Sequence, residues 1–384
     1  MTENTEHKEE HNTGHKTAHK TEHNNHNAKQ LSSAILPLTI VFLIVLAAGT
    51  WLIYGIQPGK QPATPELNLL IVGADCAECY DIGPALQILQ TDYNIKKIEN
   101  ITMEKAEEYV KKYGLKRLPA IIFTGDISAL ELPELEEKDG AKIFKKIPAP
   151  YYDVDKKGIV GYVTMTRLVD ETCKECFNIS LIEGQMTQAG IIVKSAETLD
   201  VNSEKGKQLI EKYNIENVPT LLFNDELLAY EQIQQVWKDF GTEEKDGTLV
   251  LRTLNPPYKD VKTGKLEGAV TMTYIVDKKC ADCFETSAYN KLLKDSFSLY
   301  VKEEKTIDAA TKEGKDIIKK YNITALPTVI LSSDASAYPT LPAAWKQVGT
   351  EEKDGAYVFR EIGQLESYLK SIGQELVYKN VTIQ

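Results

Sequence analysis

The six cysteines of this 384-residue chain fall into three Cys-x-x-Cys pairs: Cys76 and Cys79, Cys173 and Cys176, Cys280 and Cys283. Two cysteines with two residues between them share one turn, so their sulfurs come within bonding reach. Such a pair can run thiol–disulfide exchange, in which one thiolate attacks and the other thiol resolves the mixed disulfide. Two other chemistries use the same spacing. A zinc site built from four cysteines wants two pairs about 15–20 residues apart, whereas the first cysteines here are 97 and 107 residues apart. Outside the cell a pair can also stay oxidised as an inert clip. All six histidines, His7, His11, His15, His19, His23 and His26, precede the first cysteine. The cysteine-bearing region therefore has no His general base, Cys–His dyad or Ser–His–Asp triad. No metal and no cofactor is expected there. A net charge of −11 argues against nucleic acid as a partner, because that role needs a basic face.

The elements around the cysteines repeat. A strand-like run precedes each pair: 67–73, 162–169 and 269–276. An aromatic follows each: Tyr80, Phe177 and Phe284. Each pair then leads, 43, 46 or 47 residues after its first cysteine, to an apolar residue and a proline: Leu118-Pro119, Val218-Pro219 and Leu326-Pro327. Before each proline the apolar residues keep a helical period, as in Ala106, Tyr109, Val110 and Tyr113, or Leu209, Ile210 and Tyr213, or Ile317, Ile318 and Tyr321. After it comes a short apolar run and then Glu-Glu-Lys-Asp-Gly at 136–140, 243–247 and 351–355. Asp-Gly between apolar runs signals a hairpin. Each unit thus reads as strand, cysteine pair at a helix start, helix, strand, helix, proline, strand, hairpin strand, which is an α/β sheet. Trp237 and Trp345, at one distance before the Gly-Thr-Glu-Glu-Lys-Asp-Gly segments, read as core residues that the first unit lacks. A closing amphipathic helix is expected only in the third unit, near 362–372, and following segments are expected to cover that face in the others.

Each unit resembles a thioredoxin-fold domain, with the cysteine pair after the first strand and an apolar-Pro pair opening a later one. Three such units after an anchor are similar in plan to protein disulfide isomerase-like proteins. The resemblance implies that Pro119, Pro219 and Pro327 are cis, face the cysteine pairs and border bound substrate. It also implies thiol–disulfide oxidoreductase activity on protein thiols and disulfides. Cys76, Cys173 and Cys280 would be the attacking thiols, activated by unpaired N–H groups at a helix start. Cys79, Cys176 and Cys283 would resolve. The sites depart from thioredoxin, which resembles Trp-Cys-Gly-Pro-Cys. Here Asp75, Thr172 and Lys279 stand before the first cysteine, and an acid, Glu78, Glu175 or Asp282, precedes the second. That acid reads first as a helix cap and second as a brake on thiolate formation. With Lys278 and Lys279 beside Cys280, and only Asp75 and Glu78 beside Cys76, local charge makes Cys280 the most reactive thiol and Cys76 the least.

Upstream, residues 1–33 read as a disordered His-rich tail. Ala34 to Ile56 holds no charged residue over 23 positions, long enough for one transmembrane helix. Lys16, Lys20 and Lys29 precede it closely and only Lys60 follows closely, so the positive-inside rule puts the amino terminus in the cytoplasm. The expected order is tail at 1–33, anchor at 34–56, linker at 57–66, and thioredoxin-like domains at 67–150, 151–258 and 259–384. This describes a single-pass cell-membrane protein whose three domains lie outside the cytoplasm. It would act on protein substrates and depend on a separate redox partner protein, which would have to deliver any reductant, since no further cysteine exists for a relay. The alternative is a non-catalytic extracellular interaction or spacer protein with structural disulfides.

Overall fold

Alternating apolar positions set which face of each strand is buried, and the three central strands show it best. In Glu66–Val72, Leu67 and Leu69 join one apolar cluster while Val72 joins another on the opposite face of the sheet. The computed structural model describes residues 66–381, and all of them belong to one compact unit. The tail at 1–33, the apolar span at 34–56 and the linker up to residue 65 lie outside the described residues. Among the described residues, no helix is long and apolar enough to cross a membrane.

The first repeat runs β1 (Glu66–Val72), α1 (Gly83–Asp92), β2 (Asn94–Ile101), α2 (Met103–Tyr113), β3 (Arg117–Leu118), β4 (Ala120–Gly125), β5 (Leu135–Lys138), β6 (Ala141–Phe144), β7 (Tyr151–Asp153) and β8 (Gly158–Val160). The second runs β9 (Val163–Val169), α3 (Ser180–Gln188), β10 (Val193–Asp200), α4 (Glu204–Tyr213), β11 (Asn217–Val218), β12 (Thr220–Phe223), α5 (Glu231–Phe240), β13 (Gly241–Glu243), β14 (Leu249–Leu251), β15 (Tyr258–Asp260) and β16 (Leu266–Glu267). The third runs β17 (Val270–Val276), α6 (Ser287–Phe297), β18 (Val301–Asp308), α7 (Lys312–Tyr321), β19 (Ala325–Leu326), β20 (Thr328–Leu331), α8 (Leu341–Trp345), β21 (Gly349–Glu351), β22 (Tyr357–Phe359), α9 (Glu366–Ser371) and β23 (Lys379–Asn380).

Three five-stranded sheets share one order: β2-β1-β4-β6-β5, β10-β9-β12-β14-β13 and β18-β17-β20-β22-β21. In each, the first two strands are parallel and the other pairings antiparallel. The parallel pair requires a crossover, which α1, α3 and α6 provide. The result is the mixed α/β arrangement that the sequence predicts. The Asp-Gly signals also hold: Asp139 and Gly140 form the β5–β6 turn with φ of 49° and 72°, the left-handed pair of a tight hairpin.

Helices pack on both faces. In the first repeat Leu89 of α1 lies with Leu69, Ile121 and Phe123, while Ala106 and Tyr113 of α2 lie with Val72, Ala120 and Ile122. Trp237 and Trp345 are core residues, as expected, carried on α5 and α8. Trp345 is 2% exposed and meets Tyr357 and Phe359 edge-on at 5.9 Å each. A methyl group on Gly349 would fall 2.5 Å from the Trp345 ring and 2.2 Å from the Val358 carbonyl, so this strand start admits only glycine. The closing helix appears in the third repeat, where Ile362, Leu365 and Leu369 enter the core. In the first repeat the chain that follows supplies cover: Ile147, Ala149, Tyr151 and Val160 join the apolar cluster of the second repeat, with Tyr80, Ile82 and Phe144 packed against it.

The segments between repeats are hairpins fastened to the repeat before them. β7 pairs antiparallel with β3, and β8 with β7. β15 pairs with β11, and β16 with β15. At the end of the chain β23 pairs with β19 in the same way.

Candidate functional site

Each cysteine pair closes as a disulfide, Cys76–Cys79, Cys173–Cys176 and Cys280–Cys283, with Cα atoms 5.4, 5.4 and 5.5 Å apart. None of the six cysteines is left free. All six are partly buried, in loops at the carboxyl end of the central strands β1, β9 and β17.

The helix-start reading needs correction. The disulfide loop is its own turn, and α1, α3 and α6 begin seven residues after the first cysteine, at Gly83, Ser180 and Ser287. In the first two repeats an Asx turn intervenes: Asp81 Oδ1 accepts from the Gly83 N–H at 2.8 Å, and Asn178 Oδ1 from the Ser180 N–H at 3.2 Å. A helix terminus acts on charge only within its first turn, so it gives little help to Cys76, Cys173 or Cys280. The capping reading of the acids fails with it. None of the three helices has a side-chain cap bond, and Glu78 instead accepts from Lys194 of the second repeat at 2.5 Å. That ammonium, then the Tyr162 hydroxyl, holds the Glu78 carboxyl below its ordinary range.

Pro119, Pro219 and Pro327 are cis, as the resemblance implies. In the second repeat the contact with the disulfide is direct: Cys176 Sγ lies 4.0 Å from the Val218 carbonyl oxygen that precedes Pro219. Pro119 and Pro327 hold the same place in the strand order, between β3 and β4 and between β19 and β20.

Three sets of neighbours escaped the sequence reading. Pro150 and Pro257 are also cis, and their carbonyls accept the N–H of the aromatic after each pair, Tyr80 and Phe177, at 2.7 Å. In the third repeat Phe284 N–H uses the Val377 carbonyl at 3.2 Å. The repeated Pro-Tyr-x-Asp before a glycine, at 150–153 and 257–260, was the available signal for these hairpins.

The second set is an aspartate–lysine tie three residues before the first cysteine. Asp170 accepts from Lys259 Nζ at 2.7 Å and from the Thr172 N–H at 2.8 Å. Asp277 accepts from Lys379 Nζ and from the Lys279 N–H, each at 2.9 Å. Burial alone would raise the Asp170 carboxyl, but Lys259 and Thr172 outweigh it and hold it below the usual range. In the first repeat Gly73 and Tyr152 stand at these places, so these positions can form no such tie.

The third set belongs to the first repeat: Tyr162 Oη lies 3.8 Å from Cys76 Sγ. Lys194 Nζ sits 4.8 Å from the centre of the Tyr162 ring. At the next junction the corresponding residue is Ala269.

No known family profile matches this chain, and no curated protein does. Among solved structures, the NTD N/C domain of alkylhydroperoxide reductase AhpF from Enterococcus faecalis is similar at 16% identity, over 49% of this chain and 90% of that one, with a TM-score of 0.15. ERdj5 form II is similar at 14% identity over 74% of this chain and 40% of its own, with a TM-score of 0.15. Human ERp44 form II follows at 8% identity, 72% and 83% coverage, and a TM-score of 0.13. The fold is defined by the strand order and pairing described above.

Proposed function

We propose that this chain is a thiol–disulfide oxidoreductase with three thioredoxin-like domains, at 67–150, 151–258 and 259–384, acting on protein thiols and disulfides. The observation that carries this reading is the threefold recurrence of one arrangement: a partly exposed disulfide loop at the carboxyl end of the central strand. Cys76, Cys173 and Cys280 are the attacking sulfurs and Cys79, Cys176 and Cys283 the resolving ones. Pro119, Pro219 and Pro327 border the substrate. Residues 34–56 anchor the chain as one membrane helix, the amino terminus is cytoplasmic, and the domains lie outside. Three closed disulfides fit an oxidising compartment. A separate redox partner protein supplies or removes electrons, because all six cysteines are committed to the three pairs.

Equilibration of the full chain with glutathione buffers of graded potential, followed by acid trapping and peptide mass spectrometry, tests the activity. Each pair is expected to pass from dithiol to disulfide over a defined range. Pairs that never exchange would overturn the reading and favour a second one, a spacer or interaction array with inert disulfides. One observation favours that second reading. The strand edges at β3, β11 and β19, beside the prolines, are already paired with the chain's own following segments. A client peptide cannot add to an edge whose hydrogen bonds are taken.

A further inference from the structure

We infer that Tyr162, carried by the second repeat, is a positioning residue for the first disulfide: its hydroxyl donates to the Cys76 sulfur and favours the Cys76 thiolate when the pair is reduced. The inference deepens the exchange reading and rests on it for its consequence, although thiol ionisation is measurable without any exchange.

The geometry is an inter-repeat clasp. The Tyr162 hydroxyl lies 3.8 Å from Cys76 Sγ, within reach of a hydrogen bond to sulfur. In the disulfide the sulfur carries no proton, so the phenol is the only possible donor of the two. The charged and titratable groups around Cys76 are Asp75, Glu78, Cys79 and Asp81 of its own loop, with Tyr162 and Lys194 from the second repeat. Tyr80 turns away into the shared apolar cluster. Glu78 competes for the phenol proton and shares it with the Cys76 sulfur, while Lys194 binds the same carboxylate at 2.5 Å. With that carboxylate already paired to Lys194, a Cys76 thiolate formed on reduction competes for the phenol proton as a second anion. Burial, then Glu78, pushes the Tyr162 hydroxyl above its ordinary range, so it keeps its proton at neutral pH. A hydrogen bond to the charged form of a group favours that form. Local sequence charge ranks Cys76 as the least ionisable of the three attackers. The clasp supplies from 86 residues away what the local sequence lacks. The place of Tyr162 is taken by Ala269 at the next junction, so the second repeat has no equivalent donor.

The test is a pH profile of alkylation on the reduced full chain, with each cysteine quantified separately by peptide mass spectrometry. Tyr162→Phe keeps the ring and removes only the hydroxyl. It is expected to raise the Cys76 midpoint by about one pH unit, a roughly tenfold slower reaction at fixed pH below the midpoint. Lys194→Met, which leaves the Glu78 carboxylate unpaired and a stronger competitor for the phenol proton, is expected to raise it in the same direction. Unmoved Cys173 and Cys280 profiles report that the fold is intact. A Cys76 midpoint that stays in place or falls in Tyr162→Phe overturns the inference. If the midpoint rises while no pair exchanges with glutathione, the donor role stands and the oxidoreductase reading falls.

Discussion

The first repeat and the two that follow share a strand order yet surround their disulfides differently. In the second and third, an aspartate three residues before the first cysteine is tied to a lysine on the strand that finishes the repeat, Lys259 or Lys379. Each also has a tryptophan helix, and a buried threonine after its proline. Thr220 donates to the Leu251 carbonyl at 2.6 Å and Thr328 to the Phe359 carbonyl at 2.7 Å. The first repeat has Ala120, no tryptophan and no aspartate–lysine tie at these places. It receives a tyrosine and a lysine from its neighbour instead. One backbone plan therefore holds its sulfur loop in two ways, from within the finished repeat or across a junction.

The largest effect that tests this contrast lies in the core. Trp345→Ala is expected to cost about 3–5 kcal/mol, because it empties a site closed by Tyr357, Phe359 and Leu341. Trp237→Ala is expected to cost less, since Trp237 is more exposed, at 8%, with one edge-on aromatic partner, Phe223. Urea unfolding of the two variants checks the order. Equal losses would show that the second repeat depends on its tryptophan as fully as the third.

A smaller loss is expected from Asp170→Asn, on the order of 1–3 kcal/mol, because it leaves Lys259 without its anion and loosens the turn at Thr172. Its sign with pH is fixed. The Asp170 carboxyl is held below its unfolded value, so its contribution is full above about pH 4 and disappears as pH falls through the folded value. Wild-type and variant stabilities should therefore converge in acid. A constant gap across pH would remove the ion pair from the explanation. Faster amide exchange at Thr172, with none at Ala77, would place the effect in the second loop.

The smallest stability effect belongs to the clasp. Glu78 and Lys194 are about half exposed, and an ion pair of that kind adds little to folding. Lys194→Met is expected to leave the unfolding midpoint unchanged while moving the Cys76 alkylation profile. A clear drop in the midpoint would make the clasp a structural brace instead.

Local pattern made most of the fold legible. The strands before each cysteine pair, the helices ending at Tyr113, Tyr213 and Tyr321, and the Asp-Gly turns follow from period 2, period 3.6 and turn chemistry within a few residues. The surroundings of the sulfurs were less legible. A Cys-x-x-Cys at a strand end reads as a helix start, but Asp81 and Asn178 insert a turn that the apolar pattern does not register. Glu78 reads as a cap from its place in the loop, and its partner lies 116 residues onward. Local charge ranks Cys76 last because only contacts across repeats bring Tyr162 and Lys194 to it. Spacing reports neighbours along the chain, and these neighbours are set by how one repeat packs on another.

The finishing hairpins change what counts as one module. The sequence repeats suggest cutting at each cis proline, near 150 and 257, but β7–β8 and β15–β16 belong by pairing to the repeat before the cut. A fragment ending at Pro150 would expose the β3 edge and leave the Tyr80 N–H without the chain that orients its acceptor. One ending at Gly161 or Gly268 would keep both. Excision, grafting or reordering of these repeats should follow the hydrogen bonds, so the transferable piece is offset from the visible repeat by one hairpin.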